Sequence, residues 1–331
     1  MNTNLKIVFL FIIFIIYFYS LGILEKFKNK KIKKLFYVGE CDYKVTKTIE
    51  KKLNNNNIFE TTKNKDWSLF IPCTYDYIPD EIKKINKTTN SNNTSLFFID
   101  RNDELASKIN LWKNLVSHYD INEALKIMPM TFVLEDYKDI DKLKHKFNKN
   151  KYYILKKNTQ RQDGIKITNK LEYIIKNKDD YAIVQELLIN PYLIDNRKIN
   201  IRIYMLIICQ NDIFTSYIFD NGFLYYTKKK FIKNSKNTDN HITTGYIDRK
   251  VYDKNPLTIS DLKIYLDNKN RKLSNSEIEI LRKNNKLSEY LFDNIKNVIK
   301  KSIVSIKPHV CKKKKIKNIK KFELFGIDLF I

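Results

Sequence analysis

The chain has 331 residues, and its 62 Lys plus Arg against 37 Asp plus Glu give a formal net charge of +25. Its 6 Gly, 6 Pro and 4 Cys exclude a collagen-like chain, a Gly-rich linker and a small disulfide-rich scaffold. Because 43% of the residues are hydrophobic, the chain can bury one large core or two moderate ones, as its length favours.

The positive charge by itself points to an anionic partner such as nucleic acid, a membrane surface or an acidic protein segment. Lys is abundant throughout the chain, however, including stretches with the composition of loops. The basic run from Lys312 to Lys321 lacks interleaved aromatic residues, which favours a solvated loop over a nucleic-acid surface. We therefore expect no nucleic-acid partner.

The four cysteines are far apart in sequence, at Cys41, Cys73, Cys209 and Cys311. They form no Cys-x-x-Cys pair, and no His lies at the spacing of a metal site. We expect reduced, mostly buried thiols in a reducing compartment rather than a zinc site.

A membrane anchor with its basic flank is predicted at residues 1–34. Residues 7–24 carry no charge and are long enough to cross most of a bilayer as a helix. A lysine cluster between Lys26 and Lys34 follows, and the positive-inside rule places that side in the cytoplasm. The alternative is a cleaved signal peptide, which favours a shorter apolar region and a small-residue cleavage site. We expect a single-pass membrane protein with its body in the cytoplasm.

Residues 35–150 form the first predicted region of that body. Short β-branched or aromatic runs predict three strands, which lie at 35–45, 67–73 and 95–100. Polar loops are expected at 53–57 and 86–94. Apolar residues at helical spacing predict a helix from Glu104 to Val116, with Asp103 as its N-cap.

Residues 151–331 form the second predicted region. Apolar runs predict strands at 152–155, 165–167, 181–188 and 199–209. The segments 213–219 and 223–226 flank Asp220-Asn221-Gly222, which predicts a hairpin. Apolar residues at steps of three and four from Leu287 to Ile303 predict an amphipathic helix that covers a sheet. The expected class is α+β in at least two lobes.

Four segments of the second region contain side chains suited to catalysis or ligand binding. They are YILKKNTQRQDGIKI (153–167), VQELLINPYLIDNRKINIRIY (184–204), HITTGYI (241–247) and FELFGIDLFI (322–331). Their order and spacing resemble the tubulin-tyrosine ligase-like branch of the ATP-grasp superfamily. The upstream segments ELASKINLWKNLV and MPMTFVL extend the resemblance to most of the chain from about residue 95. RKINIR and FELFGID are its most specific parts.

The resemblance implies an ATP-grasp-like α+β fold, in which two lobes with antiparallel or mixed sheets hold ATP between them. It also implies a phosphate site built from Lys156, at a strand end, and the backbone of the loop through Gly164. Lys108 matches a lysine that contributes to the family's nucleotide and substrate site. The family's hinge, which recognises adenine, corresponds to Gln185, Glu186 and Leu187.

Further roles follow from the same resemblance. Lys198 and Arg202 are implied as catalytic residues, with Lys198 and Asn200 also contacting nucleotide. Because Lys198 and Arg202 lie four apart on a strand, they share one face and can converge on one ligand. Asp328 matches the family's first Mg²⁺-binding carboxylate, a hard oxygen ligand suited to that ion.

Two assignments have structural alternatives. A buried guanidinium is costly unless paired, so Arg202 has either a ligand or a carboxylate as its partner, and Glu186 is a candidate for that carboxylate. The turn at His241 carries two more implied nucleotide contacts, Thr243 and Thr244. Alternatively, His241 and Thr243 simply cap that turn.

The sequence departs from the family pattern at several positions. Asn200 and Thr244 stand where the family has Asp and Asn, and Tyr225 stands where many members have Arg. In the phosphate loop, Gln162-Asp163-Gly164 replaces Gly-x-Gly, which reduces the backbone freedom such loops use. The family continues to a strand with Glu-x-Asn that supplies further Mg²⁺ ligands, whereas this sequence ends at Ile331. A truncated reading frame, a partner that supplies the strand, and a pseudoenzyme remain open, with truncation or degeneration favoured.

The resemblance thus implies an ATP-dependent ligase with ATP and Mg²⁺ as cofactors. ATP phosphorylates a carboxylate, and an amine captures the acyl phosphate, so that a free amino acid is joined to an acidic protein tail such as that of tubulin. The alternative is a catalytically inactive, membrane-anchored module that binds nucleotide or acidic tails.

Overall fold

The structure is a computed structural model that describes residues 35–36, 44–55, 61–62, 68–73, 95–157, 164–211, 213–311 and 320–331. The predicted anchor, most of the phosphate loop and most of the basic run after Lys312 lie outside the described residues. Within the described ranges, no helix has the length and apolar character needed to span a membrane.

The chain divides into two compact units. Unit 1 takes its described residues from Met1–Asp100, Leu206–Phe219 and Cys311–Leu324. Unit 2 takes them from Arg101–Met205, Asp220–Val310 and Phe325–Ile331. The units interleave along the chain, whereas the sequence-based division has its boundary after residue 150.

Unit 1 contains short strands that pair in parallel. Its first elements are β1 (Leu35–Phe36), α1 (Lys44–Asn55), β2 (Thr61–Thr62), β3 (Leu69–Phe70) and β4 (Ser95–Leu96). The strand order is β2-β1-β3-β4. Helix α1 occupies the end of the strand predicted at 35–45 and the start of the loop predicted at 53–57, so both predictions are wrong over those residues. Helix α1 forms there because Ile49 and Leu53, four residues apart, pack on Ile71 from one face.

Unit 2 begins with three helices, of which the second and third have side-chain N-caps. These are α2 (Asp103–Ala106), α3 (Lys108–His118) and α4 (Ile121–Leu125). The single helix predicted over 104–116 is broken at Ser107, which has an extended backbone and accepts a hydrogen bond from Asn110 N. Ser107, rather than Asp103, therefore caps the longer helix and makes Lys108 its first residue.

A four-stranded antiparallel sheet forms one part of unit 2. It consists of β5 (Thr131–Val133), β6 (Tyr153–Lys156), β7 (Lys166–Thr168) and β8 (Ile183–Glu186), in the order β5-β8-β6-β7. Two helices accompany it, α5 (Tyr137–Lys146) and α6 (Leu171–Lys176). Phe132, Leu143, Leu155 and Ile174 are buried in the core between these elements.

Two long strands follow the short β9 (Leu193–Ile194), namely β10 (Arg197–Gln210) and β11 (Ile213–Thr227). Asp195 and Asn196 both have positive φ, as a tight two-residue hairpin between β9 and β10 requires. The hairpin predicted at 220–222 is wrong, because β11 continues through these residues. Gly222 serves a close strand contact instead, since a Cβ there would lie 2.1 Å from Arg202 O.

The remaining elements of unit 2 are β12 (Thr243–Thr244), α7 (Ile259–Asp267), α8 (Asn275–Leu281) and α9 (Leu287–Ile306), and the last strand of the chain is β13 (Lys320–Phe330). In unit 2 the strand order is β12-β11-β10-β13, and in unit 1 the start of β13 pairs in parallel with β4. The predicted helix over 287–303 is confirmed as α9, which buries Ile295, Ile299 and Ile303. The sheet strands are both parallel and antiparallel, so the predicted α+β class is confirmed.

A disulfide joins Cys209, near the end of β10, to Cys311 in unit 1. Their Cα atoms lie 5.3 Å apart, a separation typical of disulfides. Cys73 is also disulfide-bonded. The prediction of reduced thiols is therefore wrong for these three residues, because the fold brings together cysteines that are 102 residues apart in sequence. Cys41 lies outside the described residues.

Candidate active site

Three lysines of unit 2 form a cluster without compensating charge. Lys156 is the last residue of β6, Lys198 lies near the start of β10, and Lys108 begins α3. Burial, together with the charges of Lys108 and Lys198, lowers the pKa of Lys156 to about 8. Within the described residues, none of the three ammonium groups forms an ion pair with a carboxylate.

Burial also perturbs the other two members of this lysine cluster. It lowers the pKa of Lys198 to about 8 and moves the pKa of Lys108 in the same direction. The Lys198 ammonium lies 4.3 Å from the centroid of the Phe330 ring, a cation–π contact that sequence reasoning missed. Phe330 is two residues from Asp328 on β13, so strand alternation is the signal that could have identified it. Buried positive charges that repel one another are favourable only when an anion is bound.

The side chain of Gln185, on β8, is hydrogen-bonded to a member of this lysine cluster. Lys156 Nζ donates to Gln185 Oε1 at 2.6 Å, and Gln185 Nε2 donates to Thr131 Oγ1 at 2.7 Å. The Gln185 amide oxygen and nitrogen thus both have protein partners. Thr131 was not among the predicted site residues, because a buried Thr in a strand has the pattern of a core residue.

The other two hinge residues have different surroundings. Both carboxylate oxygens of Glu186 accept hydrogen bonds from Lys151 Nζ at 3.0 Å. The Leu187 side chain packs against Ile154, and its backbone N–H donates to Tyr152 O at 2.9 Å. The structure therefore brings Gln185 alone of the three into side-chain contact with the lysine cluster.

Arg202, on β10, forms a two-point ion pair with Asp328, on β13. Arg202 Nε donates to Asp328 Oδ1 at 2.6 Å, and its Nη2 donates to Oδ2 at 2.8 Å. Burial opposes the charge on Arg202, but the hydrogen bonds and charge of Asp328 outweigh it and raise the pKa of the guanidinium. The alternative in which Glu186 pairs with Arg202 is wrong, since Glu186 pairs with Lys151.

Gly326 and Tyr225 are neighbours of Arg202 in its ion pair with Asp328. A Cβ at Gly326 would lie 3.3 Å from Arg202 Cδ and Nη1, which is tighter than an ordinary contact. The Tyr225 ring lies on another side of the guanidinium, with its centroid 5.5 Å from Arg202 Cζ. Tyr225 therefore gives Arg202 an aromatic partner at the position where many family members have Arg.

Asp328, the residue expected to bind Mg²⁺, is engaged in the ion pair with Arg202. Each of its oxygens accepts one hydrogen bond from Arg202 and keeps a second lone pair that a metal ion can use. Among the residues that the structure describes, no group of three His, Cys, Asp or Glu side chains is placed to hold a metal ion. We derive no chemical step through Mg²⁺.

Buried polar atoms without partners accompany the lysines. Asn200, on β10, is buried, and its Oδ1 has no hydrogen-bond partner. His241 is fully buried, its Nε2 lies 2.8 Å from Ser235 O, and its Nδ1 makes no hydrogen bond. Burial, with a contribution from the charge of Lys198, lowers the pKa of His241. An unsatisfied buried acceptor costs free energy that a ligand hydroxyl or amine can recover, so these atoms and the lysines fit a nucleotide.

Thr243 and Thr244 are buried on β12, which pairs with the end of β11. The Thr244 hydroxyl accepts a hydrogen bond from Tyr246 N at 3.1 Å. This bond involves Thr244, so it does not test the alternative in which His241 and Thr243 cap the turn.

An α+β fold that brings together one buried and two partly buried lysines, with no carboxylate partner among the described residues, favours a site for a polyanion. The family model described as "Tubulin-tyrosine ligase family" matches residues 80–331. The chain belongs to this family, which is of the ATP-grasp type.

The chain is also similar to curated proteins named for tubulin modification. It is 25% identical over 322 residues to a probable beta-tubulin polyglutamylase of Tetrahymena thermophila, covering 91% of this chain and 25% of that protein. It is 24% identical to tubulin polyglutamylase TTLL5 and 26% identical to tubulin monoglutamylase TTLL4, both of Mus musculus. These matches cover 70% and 69% of this chain but 18% and 19% of the relatives. The chain thus spans a quarter or less of each relative's length.

Proposed function

We propose that the chain is an ATP-dependent carboxylate–amine ligase that joins glutamate to an acidic protein tail of the tubulin type. The observation that carries the proposal is the cluster of Lys108, Lys156 and Lys198. Lys198 is buried, the other two are partly buried, and within the described residues none of the three is ion-paired with a carboxylate. Relatives named as tubulin glutamylases support glutamate as the amino acid and tubulin as the protein substrate. Membership of a ligase family supports the reaction class.

The chain's own residues perform three tasks in this proposal. The lysine cluster binds the phosphates and opposes the negative charge that builds on a phosphoryl group during transfer. Asn200 and His241 offer acceptors to the hydroxyl or amino groups of the nucleotide. ATP, when bound, supplies the phosphoryl group that activates a carboxylate toward an amine.

Arg202 has a separate task from the lysines. Its guanidinium can orient a carboxylate by two parallel hydrogen bonds, the geometry that it already forms with Asp328. Mg²⁺ binding by Asp328 stays a prediction.

The second candidate function is a binding module without catalysis, and the absence of a three-residue metal-binding group among the described residues favours it. The two candidates differ in how ATP binding responds to Mg²⁺. If Asp328 binds the metal, Mg²⁺ tightens ATP binding, and Asp328→Asn abolishes that effect. A binding module has the same ATP affinity with and without Mg²⁺.

The ligase proposal is tested by turnover. The full chain is incubated with ATP, Mg²⁺, labelled glutamate and a peptide with the acidic sequence of a tubulin tail, and ADP release is measured together with label incorporation into peptide. We expect both to depend on peptide and to fall at least tenfold in Lys156→Met, because a charge that contacts phosphate is lost. Lys166→Met is the matched control, since Lys166 is an exposed lysine on β7 of the same sheet.

Two negative outcomes have different meanings. ATP binding without ADP release or incorporation would overturn the ligase proposal and leave the binding module. Absence of ATP binding would overturn the ligase and the nucleotide-binding module, and would leave only a module that binds acidic tails.

Membrane attachment is a separate proposal. We propose from the sequence alone that residues 7–24 anchor the chain with its body in the cytoplasm. Fractionation of cells that express the full chain and a form starting at residue 35 tests it. The full chain is expected in the membrane pellet, and recovery of both forms in the supernatant would contradict the anchor.

A further inference from the structure

The contacts of Lys156 extend through a chain of buried hydrogen bonds to β5. Lys156 Nζ donates to Gln185 Oε1, and Gln185 Nε2 donates to Thr131 Oγ1. Thr131 Oγ1 in turn donates to Pro129 O at 2.8 Å. The Gln185 and Thr131 side chains are almost completely buried, so water does not replace these bonds.

The donor and the acceptor of every bond in this series of hydrogen bonds are fixed by the groups at its two ends. Pro129 O can only accept, so the single hydroxyl proton of Thr131 is directed toward it. The Thr131 oxygen is then left as an acceptor, which requires the amino group of Gln185 to face it. The amide oxygen of Gln185 must therefore face Lys156, whose ammonium can only donate.

Strand register makes the arrangement rigid. Thr131 lies directly opposite Gln185 in the β5–β8 pair, and Ile154 lies opposite Gln185 in the β6–β8 pair. Lys156 is two residues after Ile154 and so lies on the same face of β6. Three adjacent strands thus hold the three side chains in line.

We propose that Thr131 is a positioning residue: by fixing the orientation of the Gln185 amide, it holds the Lys156 ammonium in place to bind the phosphates of a nucleotide. This inference rests on the proposed function for its ligand, but the alignment of Lys156 is a property of the protein alone. It also gives Gln185 a role in positioning a lysine, whereas the sequence analysis assigned it to adenine recognition.

The first test measures Lys156 without any ligand. The ¹⁵N-labelled lysine ammonium signals of the full chain are titrated by NMR in wild type, Thr131→Val and Thr131→Ser, with Lys156→Met to assign the signal. The Val variant removes the hydroxyl that orients Gln185, so the ammonium loses its aligned acceptor, and we expect the pKa of Lys156 to fall by about one unit. Thr131→Ser keeps the hydroxyl and is expected to restore the wild-type titration.

The second test separates positioning from a general structural effect. Binding of inorganic triphosphate and of adenosine is measured for the same variants by calorimetry. We expect Thr131→Val to weaken triphosphate binding roughly tenfold, the range of one hydrogen bond to a charged group, and to leave adenosine binding unchanged. Thr168→Val is the matched control, since Thr168 is a buried threonine of the same sheet whose hydroxyl accepts from Lys170 N.

The outcomes distinguish this inference from the proposed function. If Thr131→Val shows the same Lys156 titration and the same triphosphate affinity as wild type, the positioning role is overturned and the proposed function stands. Failure of wild type to bind triphosphate or ATP would overturn the function, while the NMR titration still decides the alignment of Lys156. If Thr131→Val does not fold, Gln185→Met takes its place, with the same expected losses and the same contradicting result.

Discussion

Burial of positive charge is the dominant feature at the scale of single residues. Lys156 and Lys198 have pKa values of about 8 because they are removed from water without carboxylate partners. Such groups lower the stability of the free protein and increase its affinity for an anion. Burial of these charges therefore lowers the free energy of unfolding of the ligand-free protein, and anion binding offsets that loss.

This arrangement predicts that folding stability rises with pH. Below pH 8, Lys156 is charged in both the folded and the unfolded chain, so its burial cost is fully present. Between pH 8 and the ordinary pKa of 10.5, the unfolded chain binds more protons, and the free energy of unfolding increases. The full difference for one lysine is on the order of 3 kcal/mol.

Urea denaturation at pH 7.5 and pH 9.5 checks this prediction. We expect wild type to gain stability relative to Lys156→Met over this range, while Lys166→Met follows wild type. ATP affinity is expected to change in the opposite direction, falling as the ammonium groups lose their protons. An identical pH dependence of stability in wild type and Lys156→Met would contradict the burial of a charged Lys156.

At the scale of secondary structure elements, the close contact between β10 and β11 is the main constraint on which side chains the strands can carry. Gly222, on β11, approaches β10 so closely that a Cβ would lie 2.1 Å from Arg202 O. We expect Gly222→Ala to lower the free energy of unfolding by about 1–3 kcal/mol, because one strand must shift. The same shift moves Arg202 away from Asp328.

Gly245→Ala provides the matched control. A Cβ at Gly245 would have its nearest neighbour, Tyr225 Cε1, at 3.5 Å, which is an ordinary contact. Chemical denaturation of both variants tests the difference. Equal stability of Gly222→Ala and Gly245→Ala would show that β10 and β11 are not in close contact at this point.

Much of the element pattern could be predicted from local sequence. The apolar run at 199–209 and the helical spacing from Leu287 identified β10 and α9, since each buries a regular face. Asp220-Asn221-Gly222 misled the prediction, because the same residues that favour a turn also permit a close strand approach. Whether a glycine turns the chain or lets another strand pass depends on contacts that are distant in sequence.

The candidate site was predictable to a similar extent. Arg202 stands out because a charge within an apolar strand needs a partner, whereas Lys156, Lys198 and Asp328 were identified through the resemblance of their motifs to the family pattern. The pairing of Arg202 with Asp328, and the contact of Gln185 with Lys156, depend on strand register, which local sequence does not specify.

At the scale of the whole molecule, two interleaved units are built from distant parts of the sequence. The Cys209–Cys311 disulfide closes a segment of 102 residues within the chain. In the chain-entropy model, closing a loop of that length stabilises the fold by roughly 4–5 kcal/mol. Because disulfides are rare in the cytoplasm, the redox state of Cys209 and Cys311 in cells is a further test of the proposed cytoplasmic body.

Loss of the disulfide is therefore expected to lower the melting temperature. The comparison is between wild type and the double variant Cys209→Ser, Cys311→Ser, both without a reductant, because a reductant would also break the disulfide of Cys73. Alkylation of denatured, unreduced protein followed by mass spectrometry is the control. Labelling of both Cys209 and Cys311 in that experiment would show that the bond is absent.

The lysine cluster is proposed to bind the phosphates of ATP. Calorimetric titration of ATP into the full chain, compared with Lys156→Met and Lys166→Met, tests this proposal. We predict measurable binding by wild type, at least tenfold weaker binding by Lys156→Met and wild-type binding by Lys166→Met. Equal affinity in all three proteins, or no binding by wild type, would contradict the claim.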